Sequence, residues 1–392
     1  MAQLMKRLII ECGVAETRAA LLVDDQVWKF WFGPARGDET SDSFPRAGRR
    51  FAGRVKAVDK GLNAAFVDLG DRRDAFLALK KSNEDHCVDG ALIEVEIKAP
   101  PRQSKGAALK FIGALKEGEP GRLPPFQDAA VEAAETIGGE ADEILIDNGG
   151  ALRALRAAGF DNARHETHPV ALFQKHGVDQ EFDAAFDRIV PLLRGGRLII
   201  DETHALTAID VDTGGLTASS PARLREKIAF AAAEEAMRQV SLRNIGGHIV
   251  IDFPDIPSDA GRKRFQAHLK KVMSKLDGAG AASFSRSNLY SFTAPHHALS
   301  LLDRFTEKAH AVPVAGRRFT QEAAAKMALA ALEARLRSEP SGRVALTVGA
   351  GIQACLAENE KWLHRLTDRH GPRFEIVTDG KYGDRNFDLA EQ

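Results

Sequence analysis

Apolar runs broken by single polar positions open the chain: LIIEC (8–12), AALLV (19–23) and VWKFWF (27–32), with Gly and Asp between them. This pattern predicts a β-rich segment over residues 1–44. The polar, turn-rich stretch GPARGDETSDSFPRAG (33–48) marks a boundary. Short strands follow to about residue 115: FAGRVKAV (51–58), NAAFVDLG (63–70), DAFLAL (74–79) and ALIEVEIKA (91–99). With turns such as DKG and GDRRD between them, they predict a small barrel.

KEGEPGRLPPF and a short Ala/Glu-rich helix make residues 116–140 a linker. EILIDNGG (143–150) reads as a buried strand ending in a turn, GALRALRAAGF as a helix, and 178–194 as a long helix. RLIIDET and HALTAIDVDTGG form a hairpin. The next helix, capped by Ser219 or Ser220 with Pro221 at its first position, runs to about Arg243. Gly246-Gly247 ends it before the strand HIVIDF (248–253), and Ser258 caps a further helix to about Leu276. Strand–helix–strand–helix order predicts an α/β unit with part of its sheet parallel. The last 85 or so residues alternate helix and strand again.

Aspartate interrupts these apolar strands at informative places. In LTAIDVD, Thr207, Ile209 and Val211 share one face, while Ala208, Asp210 and Asp212 share the other. In HIVIDF, Ile249, Ile251 and Phe253 face the core and Asp252 points the opposite way. If the two strands are neighbours, three carboxylates converge at strand ends, where open α/β sheets bind ligands. Clustered carboxylates repel unless a cation neutralises them, and hard oxygen ligands suit Mg²⁺ or Mn²⁺. Such an ion can activate water and offset the charge that develops in phosphodiester hydrolysis.

Composition narrows the setting. Apolar residues at 44% and charged residues at 28% of 392 exclude a disordered or fibrous chain and fit two to four packing units. No run approaches the roughly 20 apolar residues of a membrane span, and the start lacks a secretion signal. Cys12, Cys87 and Cys355 are too scattered for a disulfide framework or zinc knuckle and fit a reducing cytosol. The net charge of −1 hides a local excess: 14 Lys+Arg against 9 Asp+Glu between Pro45 and Leu115. A basic module in a neutral chain suits nucleic acid. Within it Phe66 shares a face with Asp68, and Phe76 lies one strand on; paired exposed aromatics are a stacking platform for unpaired bases. Lys105, beside Gly106 in a loop, can reach a phosphate.

These segments resemble, in order from about residue 5 to 305, the catalytic half of the ribonuclease E/G family. KRLIIECGVAETRAALLVDDQ is similar to the family's first strands, and GRVKAVDKGLNAAFVDLGDRRDAFL to its S1 (OB-type) domain. KGAAL, EILIDN, LIIDETHALTAIDVDTGG and LRNIGGHIVIDF follow in family order. The strings ALTAIDVDTGG and IDF after Gly-Gly are the most specific. The resemblance implies a multidomain α/β fold: an RNase H-like subdomain (1–44 and 141–200) with an inserted S1/OB barrel (45–115) and the linker 116–140. An α/β, DNase I-like catalytic subdomain (201–305) and a small C-terminal α/β domain (306–392) follow.

The resemblance further implies a cytoplasmic endoribonuclease that cuts single-stranded RNA to 5′-phosphate and 3′-hydroxyl ends. Its magnesium-binding aspartates fall on Asp210 and Asp252, its RNA-contacting aromatics on Phe66 and Phe76, and its basic contact on Lys105. Asp212 replaces an active-site Asn, and Ala229–Ala233 replaces a more polar helix segment. The family's 5′-monophosphate sensor is cut to about 25 residues without its Arg-Thr pair, and its zinc-link cysteines are missing. No zinc and no family-type sensing of the RNA 5′ end are therefore expected, and monomer and dimer stay open. His165 with His168 and the adjacent His296-His297 lack further ligands for a metal site. No long basic or Pro-rich tail follows, so no scaffold for other decay enzymes is expected. The rival expectation is an RNA-binding protein that keeps this fold without catalysis.

Overall fold

The computed structural model describes residues 4–40, 45–70, 73–102, 105–193, 195–214, 221–285, 289–308 and 316–391. They form a mixed α/β chain of several sheets, divided into two compact units. One unit comprises 1–42, 124–181 and 302–392; the other comprises 43–123 and 182–301. Among the described residues, no helix is long and apolar enough to cross a membrane.

In the first unit, Lys6–Cys12 is the middle strand of a five-stranded sheet. Glu16–Val23 and Gln26–Pro34 continue it antiparallel on one side, and Glu143–Ile146 and Ala163–His165 extend it parallel on the other. Asp24 and Asp25, at φ 49 and 62, supply the two left-handed residues of the turn that pairs Val23 with Gln26. Leu8, Ile10, Cys12, Ala19 and Leu21 pack with the alanines of helix Ala129–Ile137, whose small side chains let helix and sheet approach closely. A second sheet places Val344–Val348 between Phe374–Thr378, parallel, and Phe387–Glu391, antiparallel. Its core with helix Gln321–Ser338 takes in Val14 and Ala15, from the turn after the first strand.

In the second unit, Arg50–Asp59 pairs with both Ala64–Asp68 and Leu92–Ala99. Ala75–Ala78 continues antiparallel from the former, and Ala108–Ala114 pairs parallel with it and antiparallel with Leu92–Ala99. Five strands thus close on themselves, which removes exposed edges. The sequence pattern missed Ala108–Ala114 because its pairing with Leu92–Ala99 shifts register twice, spoiling a clean alternation.

The same unit holds a six-stranded sheet in the order Ile189–Pro191, Arg197–Glu202, Thr207–Asp212, Gly247–Asp252, Leu289–Ala294, Ser283–Phe284. Only Thr207–Asp212 and Gly247–Asp252 run parallel, joined through helix Pro221–Leu242. The long helix expected over 178–194 does not form. Helix Val178–Ala184 gives way to the edge strand ending at Pro191, and Gly195 and Gly196, at φ 88 and 81, turn the chain back as a hairpin. The boundary expected at residue 200 therefore falls inside this sheet. Ile209, Val211, Ile249, Ile251 and Phe253 pack against Ile228, Ala232, Phe265 and Leu269 of the helices that cover one face. Ser258 Oγ accepts the Gly261 amide at 3.0 Å and starts helix Asp259–Met273; Ser219 and Ser220 lie outside the described residues.

Candidate functional site

Strand alternation sends Asp210 and Asp252 to the face that the helices leave open, while Ile209 and Ile251 beside them are buried. The parallel register sets Asp210 directly against Asp252, so their backbones lie about 4.8 Å apart, the spacing of adjacent strands. Ile199 flanks Asp210 on one side, and half-exposed Leu289 flanks Asp252 on the other. Among the described residues, neither carboxylate has a hydrogen-bond or ion-pair partner. Two adjacent, uncompensated carboxylates are a hard-oxygen donor set for a divalent cation. No three His, Cys, Asp or Glu side chains cluster as a metal cage among the described residues. Magnesium suits such a pair because it keeps several waters and takes substrate phosphate as a further ligand.

Asp212 lies on the same face two positions further along, but it is differently engaged. Arg197, opposite it in the antiparallel register, donates Nε and Nη2 to Oδ2 at 2.8 and 2.7 Å. The Gly214 amide donates to Oδ1 at 2.8 Å. The amide and the guanidinium hold this carboxyl below the usual range. Two of the three expected carboxylates thus stand side by side on one face, unpaired among the described residues, and the third is bound to an arginine that the sequence reading missed. Its only signal was a basic residue placed after Gly-Gly, opposite an acid in a hairpin.

On the barrel, Phe66 and Phe76 are directly opposed across antiparallel strands, with ring centroids 6.3 Å apart and planes at 77°. Phe66 is half-buried and Phe76 is 39% exposed, which is unusual for so large an apolar ring. Lys56 bridges Asp74 at 2.7 Å and Asp68 at 3.7 Å, so one of the two negative charges beside the rings is offset. Lys105 is exposed and follows a bridge to Arg102. At Gly106 a Cβ would stand 1.9 Å from the Asp74 carbonyl oxygen. Glycine there lets the loop press against the strand of Phe76, whose amide donates to the Ala107 carbonyl at 2.7 Å.

His168 Nδ1 accepts the Val170 amide, Arg102 contacts His296, and all three cysteines are buried and free.

Fold and site together define a mixed α/β protein with a paired-carboxylate centre and an aromatic-faced barrel. Residues 130–290 match the Ribonuclease E/G family. It is 32% identical over 183 residues to Ribonuclease E of Escherichia coli (strain K12), covering 42% of this chain and 17% of that protein. It is 36% identical over 114 residues to Ribonuclease G of the same strain, covering 28% and 23%. The chloroplastic Ribonuclease E/G-like protein of Arabidopsis thaliana is 28% identical over 239 residues, covering 57% and 23%. The matches thus span less than a quarter of the length of these relatives.

Proposed function

We propose that this chain is a magnesium-dependent endoribonuclease acting on single-stranded RNA in the cytoplasm, with Mn²⁺ as an alternative ion. One observation carries the reading: Asp210 and Asp252 stand in register with no counter-charge among the described residues, inside the segment that matches the ribonuclease E/G family. A magnesium ion held by the two would activate water and offset charge growing on the scissile phosphate. Asp210 and Asp252 hold that ion, and the rigid strand pair fixes their separation. Phe66 and Phe76 stack unpaired bases, which a duplex does not offer. Lys105 binds backbone phosphate, and Lys56 offsets one of the two charges of Asp68 and Asp74. By family likeness the products carry 5′-phosphate and 3′-hydroxyl ends.

Strand order supports the finer architecture. The first unit's sheet suits an RNase H-like subdomain and the closed five-stranded barrel an S1/OB module. The six-stranded sheet is read as the DNase I-like catalytic part.

The test is incubation of purified protein with a fluorescent A/U-rich oligoribonucleotide, with Mg²⁺ or with EDTA. Cleavage confined to the magnesium arm is expected. Tight binding with no cutting in either arm would replace this reading by that of a non-catalytic RNA-binding protein.

A further inference from the structure

The Arg197–Asp212 pair sits on the open face, one alternation step beyond Asp210. Nε and Nη2 of Arg197 converge on a single carboxylate oxygen, Oδ2 of Asp212. A guanidinium carries five N–H donors in a fixed fork, so the terminal Nη1 and one hydrogen of Nη2 remain available. The side chain is 49% exposed, which leaves that free edge in solvent. The Gly214 amide fixes the other oxygen of Asp212, so the acid anchors the guanidinium in one orientation. At Gly196, a Cβ would stand 2.8 Å from the Asp212 carbonyl oxygen, and φ is +81. Only glycine lets the strand bearing Arg197 begin so close to Asp212.

We propose that Arg197 is a phosphate-binding residue for RNA, oriented by Asp212 and placed beside the cation held by Asp210 and Asp252. This rests on the proposed endoribonuclease reading and adds to it a group that touches the substrate. The local charges fit. Asp210, Asp252 and Asp212 carry three negative charges and Arg197 one positive, so a single divalent ion brings the centre to neutrality. Without Arg197 the same centre keeps a net negative charge that opposes the RNA backbone. A fork geometry suits a phosphodiester, whose two non-bridging oxygens accept paired N–H donors.

The experiment measures kcat and KM for the A/U-rich oligoribonucleotide with wild type, Arg197→Ala, Arg197→Lys, Asp212→Asn and Arg197→Ala/Asp212→Asn, with melting curves as the folding control. For Arg197→Ala, KM is expected to rise about tenfold or more, as for a lost charge-assisted hydrogen bond, with the larger change in KM than in kcat. Arg197→Lys should fall between it and wild type. The double variant should recover part of the loss, because the stranded carboxylate is gone, but not all, because the phosphate contact is gone too. An Arg197→Ala enzyme within twofold of wild type overturns the proposal, as does full recovery in the double variant, which would leave Arg197 as a neutraliser alone. A wild type that cuts nothing with Mg²⁺ sinks the endoribonuclease reading instead. In that case the Kd of the oligoribonucleotide still decides for Arg197: its removal must weaken binding and lower the salt dependence by about one phosphate contact.

Discussion

The Val14 amide donates to the carboxylate of Glu333, 319 positions further along, at 3.2 Å. This bond ties the turn after the first strand to helix Gln321–Ser338, and Glu333 also meets Arg369, His370 and Arg337. Burial pushes the Glu333 carboxyl up, but the His370 hydrogen bond and the two arginines outweigh it and hold the group below its ordinary value. A depressed carboxylate contributes stability that is present above the unfolded pKa, about 4.3, and is lost as pH falls through the lower folded value. Glu333→Gln is therefore expected to cost about 3 kcal/mol at neutral pH, since half-buried Arg369 loses its carboxylate while Arg337 keeps only Asp147. Urea unfolding should show the gap to wild type shrinking below about pH 4. A gap independent of pH would remove the carboxylate from this account.

Asp210→Ala and Asp252→Ala should each cut cleavage by about 100-fold or more, since metal-held charge stabilisation is worth several kcal/mol. Both side chains are exposed and unpaired, so folding stability should change by no more than about 0.5 kcal/mol. Millimolar Mg²⁺ should raise the melting temperature of wild type and not of either variant, as ligand linkage requires. An equal magnesium shift in all three would place the ion elsewhere.

Phe66→Ala and Phe76→Ala should each weaken oligoribonucleotide binding by roughly 1–3 kcal/mol without altering its salt dependence. Lys105→Ala should do the reverse, lowering the salt slope by about one contact for every sequence tried. Fluorescence anisotropy at several salt concentrations separates the two. Identical salt slopes for Lys105→Ala and wild type would take Lys105 off the backbone.

Substrates bearing 5′-monophosphate and 5′-hydroxyl ends should be cut at rates within a few fold of each other. The short stretch 116–140 carries no Arg-Thr pair, and its helix Ala129–Ile137 is committed to covering the first sheet. A strong monophosphate preference in competition assays would show that another surface reads the end.

Much of this was legible in the residues because period-two alternation fixes which side a strand residue faces. Asp210 and Asp252 follow directly from Ile209 and Ile251 being apolar. That their strands are neighbours was a condition in the sequence, and the parallel pairing of Thr207–Asp212 with Gly247–Asp252 supplies it. Three things were not legible. The strand Ile189–Pro191 reads like the end of the preceding helix until Arg197–Glu202 pairs with it. Ala108–Ala114 becomes a strand only by closing the barrel, a contact that local pattern does not encode. The Arg197–Asp212 pair depends on the register of the hairpin that turns at Thr203–Leu206, where the Thr203 amide donates to the Leu206 carbonyl.

The crossed planes of Phe66 and Phe76 bear on which nucleic acid the barrel can accept. Two nucleobases lying flat on these rings would themselves be turned almost perpendicular to each other. Neighbouring bases in a regular helix stay nearly coplanar, so a strand engaging both rings must break its own stack at that step. Selection against duplex would then arise from ring orientation alone, before any hydrogen bond to a base edge is made.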